Sequence, residues 1–126
     1  MDCVTVLAEA SLTDNERRVL DRLADRLADK LRPRLRSVWL YGSRARGEKP
    51  HAESDIDVLV IVDPILPNDE LTVIDLSWEA ADEEGPVSGL ISTLVYSSDR
   101  LAQRREIHSF FIQEVDRDKI VLYGES

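Results

Sequence analysis

The sequence predicts an α/β (α+β) protein, a mixed β-sheet flanked by helices. Three observations carry that expectation: apolar residues at helical spacing after Thr13, short β-branched and aromatic runs such as 58–62, and alternation of the two kinds along the chain. No internal repeat or linker interrupts the pattern.

Thr13 followed by Glu16 has the form of a capping box, in which each side chain accepts from the other residue's backbone N–H. Val19, Leu20, Leu23, Leu27, Leu31 and Leu35 then recur at helical spacing, predicting an amphipathic helix that ends near Pro33. Ser37-Val38-Trp39-Leu40-Tyr41 has the content of a short strand stopped by Gly42. Asp55 to Val62 is apolar on both alternating faces after its first three residues, as in a central strand covered on two sides, and Asp63-Pro64 ends it. Asn68 and Asp69 open a second helix with Leu71, Ile74, Trp78 and Ala81 on one face, closing around Gly85-Pro86. A third strand runs from about Ser88 to Tyr96. Ser97 and Ser98 cap a helix through Leu101 and Arg105, and Phe110, Phe111, Ile112 and Val115 mark another. Ile120-Val121-Leu122-Tyr123 closes as a strand. Trp39, Trp78, Phe110 and Phe111 read as packing residues rather than as a base-stacking platform.

The 126 residues suit one domain over 1–126, too short for a second substrate-holding domain. An apolar fraction of 43% with 33% charged residues is that of a globular protein, so folding is expected. Met1-Asp2-Cys3 lacks a basic leader and no apolar run approaches the roughly 18 residues of a membrane helix. A cytoplasmic, non-membrane protein is expected. The lone Cys3 can form neither an internal disulfide nor a zinc cage. A net charge of -9 argues against general nucleic-acid binding, which rests on basic charge. Arg32, Arg34, Arg36, Arg44, Arg46 and Lys49 nevertheless stand against one acid, Glu48, so a local anion site is expected in this stretch.

Chemistry concentrates in Leu40-Tyr41-Gly42-Ser43-Arg44-Ala45-Arg46-Gly47-Glu48 and Ser54-Asp55-Ile56-Asp57. Residues two apart on a strand share a face, so Asp55 and Asp57 place two carboxylates side by side at the end of a buried strand. Two like charges there ask for a cation, and paired hard oxygens suit Mg²⁺, which takes one or two carboxylates plus substrate phosphates. An isolated Asp-x-Asp is equally well a polar loop end. Gly42-Ser43 at the end of a strand offers backbone N–H groups and a hydroxyl to an anion, although a tight turn alone would also use these residues. Gly47 reads as a turn residue with positive φ. His51 and His108 read as structural or exposed, and Asp82-Glu83-Glu84 as a solvated helix end.

The combination is the specific feature: an apolar strand into Gly42-Ser43, eleven intervening residues from Arg44 to Ser54, then Asp-x-Asp opening an apolar strand. This closely resembles the Gly-Ser…Asp-x-Asp signature of the DNA polymerase beta nucleotidyltransferase superfamily. Gly-Ser-Arg-Ala-Arg-Gly-Glu…Ser-Asp-Ile-Asp is similar to its minimal (MNT) branch. The resemblance is sharpest from Val38 to Val62 and looser elsewhere, with Glu114-Val115…Ile120-Val121-Leu122-Tyr123 similar to the ends of small members. It implies the nucleotidyltransferase fold, ATP as substrate and Mg²⁺ as cofactor, with Gly42 and Ser43 holding the triphosphate and Asp55 and Asp57 ligating the metals. Arg44 and Arg46 either neutralise phosphate or form a solvated turn. It further implies an antitoxin that transfers AMP from ATP to a tyrosine of a HEPN-type partner toxin.

Active members present a third acid from the next strand, completing the metal site and serving as a base. Here the aligned position is Ser92, a neutral hydroxyl that does neither near pH 7. Asp63, Asp75, Glu79 and Asp99 lack the spacing to replace it. Two readings follow: a Mg²⁺-dependent nucleotidyltransferase whose acceptor hydroxyl lies on a partner protein, or a weak or inactive protein of the same fold that neutralises its partner by contact. A homo-oligomer with a remnant site is a third.

Overall fold

The computed structural model describes residues 12–47, 55–84 and 91–125. Cys3, Glu48, Lys49, His51, Ser54, the Gly85-Pro86 turn and positions 88–90 lie outside the described residues. Helix α1 (Asp14–Leu31) leads into strand β1 (Leu35–Tyr41), then β2 (Ile56–Val62), α2 (Asp69–Glu84), β3 (Ile91–Ser97), α3 (Ser98–Glu106), α4 (Phe110–Asp118) and β4 (Ile120–Gly124). The strands form one sheet in the order β3-β2-β1-β4. β1 runs antiparallel to β2 and β4, whereas β2 and β3 are parallel across the α2 crossover. The sheet is therefore mixed and flanked by helices, as expected.

The expected capping box opens α1. Thr13 Oγ1 accepts from Glu16 N at 3.1 Å, and Glu16 Oε1 accepts from Thr13 N at 2.9 Å. Val19, Leu20, Leu23, Leu27 and Leu31 are buried with Val58, Val60, Val62 and Val95 on one face of the sheet. Leu35, expected to continue the helical stripe, instead begins β1, because the chain turns at 32–34 and re-enters the core from the strand. The other face holds Trp39, Leu59 and Ile61 against Leu101, Ile112 and Val115 of α3 and α4. Trp39 Nε1 donates to Glu125 O at 2.7 Å, and Lys119 Nζ stands 3.9 Å from its ring centroid. With helices on both faces, β2 is buried from Val58 to Val62, which explains its unbroken apolar run.

Two packing expectations fail. In α2 the inward residues are Val73, Ser77 and Ala80, with Leu76 and Ala81 at the margin, while Leu71, Ile74 and Trp78 face outward. This helix carries apolar residues on both sides, and its approach to α1 and the sheet is filled by the smaller ones. Phe110 is likewise exposed, and only Phe111 joins the core, in edge-on contact with Tyr41 at 5.4 Å.

Arg34 and Asp69 fasten the start of α2 to the α1–β1 turn. Arg34 donates to both carboxylate oxygens at 2.8 and 3.0 Å, and Leu66 N donates to Oδ2 at 2.7 Å. The Arg34 hydrogen bonds hold the Asp69 carboxyl below its ordinary value. A depressed folded value means that this stability is present at neutral pH and is lost as pH falls through the carboxylate range toward that value. Asp69→Asn is thus expected to lower the urea midpoint at pH 7 and to flatten the loss of stability below about pH 5, as paired urea titrations would measure.

Candidate functional site

The strand register places the Asp-x-Asp motif. Asp57 lies opposite Tyr41 on β1 and beside Ser92 on β3, so the three residues form a row across one end of the sheet. Asp55 precedes β2 and is exposed; Asp57 is half-buried. Both fall on the face that carries Leu59 and Ile61, toward α4. Asp57, Tyr41, Gly42, Ser43 and Arg46 line a cleft of about 290 Å³ whose opposite wall is Phe111, Glu114 and Val115 of α4.

Electrostatics mark Asp57 as a carboxylate short of positive charge. Burial pushes its pKa up, Asp55 adds to the rise by like-charge repulsion, and Arg46 opposes them. The Tyr41 hydroxyl is pushed up to about 12, first by burial and then by Asp57. Two neighbouring carboxylates with this balance, open to a cleft, fit a divalent cation of oxygen preference such as Mg²⁺. Among the described residues, no group of three or more His, Cys, Asp or Glu side chains converges to hold a metal.

Gly42 makes the arrangement sterically possible. Its φ is +81°, and a Cβ built there would stand 2.6 Å from Asp57 Oδ2. Beyond it a turn is closed by Arg46 N donating to Gly42 O and Gly47 N to Arg44 O, each at 3.2 Å, with Gly47 at φ +78°. Gly42→Ala must both strain the backbone, at about 1–2 kcal/mol, and displace the Asp57 carboxylate. The expected outcome is a lowered melting temperature together with at least about 10-fold weaker Mg²⁺–nucleotide binding, read by calorimetry.

The basic stretch does not form one anion site. Arg34 and Arg36 precede or begin β1 and pair with Asp69 and Asp63, at the far end of the strand from Gly42. Arg44 departs from its expected role: its side chain is 3% exposed, and Nη1 donates at 2.9 Å to the buried Glu16 that caps α1. Its guanidinium anchors the turn from inside instead of meeting a ligand or solvent. Arg46 does line the cleft, with Asp118 at 3.5 Å.

Ser92 stands on β3, one strand over from Asp57. None of the four alternative acids is beside them. Asp63 and Asp99 follow the opposite ends of β2 and β3, and Asp75 and Glu79 are exposed on α2. The acid that shares the cleft is Glu114, which sequence reasoning passed over. Phe111 and Glu114 are three apart on α4 and so share a face, but which wall that face meets depends on the docking of the helix.

Comparisons with known proteins agree with this fold. The family model described as nucleotidyltransferase domain matches residues 20–123. A toxin–antitoxin crystal structure with AMP-PNP is similar in fold at 21% identity and a TM-score of 0.54, covering 84% of this chain and 74% of that one. A mutant MntA-HpeT toxin–antitoxin matches at 19% identity and a TM-score of 0.50, with the same coverages. A protein from Sulfolobus solfataricus assigned as a nucleotidyltransferase matches at 16% identity and a TM-score of 0.52, covering 98% and 87%. No curated protein matches. The family match spans the Gly-Ser turn, the Asp-x-Asp strand and all four strands of the sheet, and by it this chain belongs to the nucleotidyltransferase domain family.

Proposed function

We propose that the protein transfers AMP from ATP to a hydroxyl of a partner protein, as the antitoxin of a HEPN-type toxin. The observation that carries the reading is the Asp57 carboxylate, repelled by Asp55 and bared by the absent side chain of Gly42. Asp55 and Asp57 would hold Mg²⁺, and Gly42 and Ser43 would seat the triphosphate in the cleft. Bound there, the metal supplies charge neutralisation to the phosphates and to the pyrophosphate that leaves. Arg46 adds positive charge on the same wall. No pocket for a second substrate is needed if the acceptor is presented by another protein. Two structural neighbours being toxin–antitoxin structures, one with AMP-PNP, supports this choice of partner and nucleotide. The experiment is incubation with Mg²⁺, α-labelled ATP and the protein encoded beside it. Label on that partner is the expected result, and its persistent absence rejects transfer.

A second reading is favoured by Ser92 alone: nucleotide is bound, and the partner is neutralised by contact without turnover. The two separate on Ser92→Asp. Restoring a carboxylate beside Asp57 should raise transfer about 10-fold by holding a second ion more firmly. A contact inhibitor would neutralise its partner equally well in both forms and label it in neither.

A further inference from the structure

The outward face of α2 combines exposed apolar side chains with acids. Leu71 is 63% exposed and Trp78 71%, with Ile74 between them, and at about 100° per residue all three share an arc with Asp75 and Asp82. The helix carries seven Asp and Glu and no Lys or Arg. Asp69, Glu79 and Glu83 turn toward Arg34, Arg26 and Arg22, whereas Glu70, Asp75 and Asp82 are exposed and make no ion pair among the described residues.

The apolar stripe continues onto an open sheet edge. β3 is the outer strand among the described residues, so within them one row of its backbone N–H and C=O groups has no strand partner. A groove of about 120 Å³ joins Ile74 and Glu70 of α2 to Leu94 and Tyr96 on this edge and is lined also by Arg100, whose guanidinium lies over the Tyr96 ring. Because β2 and β3 are parallel, α2 must run back along them, which returns Trp78 and Asp82 to the end of the sheet that carries Asp57 and Ser92.

We propose that the outward face of α2 and the adjoining β3 edge dock a cationic amphipathic helix of a partner protein. Charge selects this occupant. A large exposed aromatic and two aliphatic side chains set among unpaired acids need apolar anchors interleaved with Lys or Arg. A second copy of this chain is disfavoured, since it would bring a net charge of -9 and the same seven acids to its own reflection. The docking surface lies outside the cleft and requires no transfer chemistry, so it stands apart from the function proposed above.

The test uses two fluorescein-labelled helical peptides with identical leucine spacing, one with lysine and one with glutamate at every polar position, titrated by anisotropy into the intact protein. The lysine peptide is expected to bind, and the glutamate peptide at least 10-fold more weakly. Leu71→Ser with Ile74→Ser, and separately Asp75→Lys with Asp82→Lys, should each weaken the lysine peptide at least 10-fold. Ile107→Ser with Phe110→Ser, which removes two strongly exposed apolar residues outside α2 and β3, should leave it unchanged, as should Asp57→Asn. Circular dichroism confirms that the variants fold. Equal binding of both peptides, indifference to the α2 substitutions, or a dimer in sedimentation equilibrium that Leu71→Ser with Ile74→Ser dissolves would each overturn the proposal.

Discussion

Asp57→Asn is expected to reduce AMP transfer, or Mg²⁺-dependent nucleotide binding where transfer is not seen, by at least about 100-fold. Asparagine keeps the shape of the side chain and its place beside Gly42, but it cannot bring negative charge to a cation. The same substitution should leave the free protein slightly more stable. Burial and Asp55 both push the Asp57 carboxyl upward, so its charged form opposes folding at neutral pH, and neutralising it removes that penalty. A melting temperature raised by about 1–3 °C without Mg²⁺ is expected, alongside loss of the stabilisation by Mg²⁺ and nucleotide expected of the wild type. Opposite signs in the two measurements distinguish a lost ligand from a damaged fold. A variant that kept wild-type binding would remove Asp57 from the site.

Glu16→Ala carries the largest expected effect on stability. Glu16 Oε1 accepts both from Thr13 N and from Arg44 Nη1, each at 2.9 Å, and the Glu16 and Arg44 side chains are 1% and 3% exposed. One carboxylate therefore caps α1 and neutralises the cation that anchors the turn after Gly42. Deleting it costs the cap and leaves a buried guanidinium without that carboxylate, a loss of about 3–5 kcal/mol in urea unfolding. Glu16→Gln, which can still accept from Thr13 N, should fall between the two. Because the anchored turn is the one that carries Ser43 and Arg46, nucleotide affinity should follow stability downward.

The element order was legible in the sequence because each element is signalled locally. Thr13 and Glu16 are three residues apart, Ser97 caps a helix whose first turn follows directly, and the unbroken apolar run from Val58 to Val62 marks a strand covered on both faces. The pairing of Asp55 and Asp57 on one face follows from a strand's period of two, and the position of Ser92 from its place in the next strand. What failed were statements about which of two surfaces a residue meets. Leu71, Ile74 and Trp78 have helical spacing, but so do Val73, Ser77 and Ala80, and only the distance between α2, α1 and the sheet decides which set is enclosed. Arg34, Arg36, Arg44 and Arg46 are neighbours in the chain and were read as one anion site. Arg34 and Arg36 stand at the start of strand β1 and Arg44 and Arg46 beyond its end, roughly 20 Å along the strand, and the Arg44 side chain is drawn inward by a glutamate from another element.

The sequence by itself determined the fold class, the capped first helix and the motif that sets two carboxylates at the end of a strand, since each rests on a repeat or spacing within about ten residues. Only the tertiary structure decided that Gly42 must be bare because Asp57 leans over it, that Arg44 belongs to the core and Arg46 to the cleft, and that Glu114 supplies the cleft's far wall. Those outcomes depend on the pairing of β1 with β2 and on the packing of α1 and α4 against the two faces of the sheet. Chain neighbours cannot encode that packing, because it is set by shape and charge between segments distant in the chain, as Glu16 and Arg44 are.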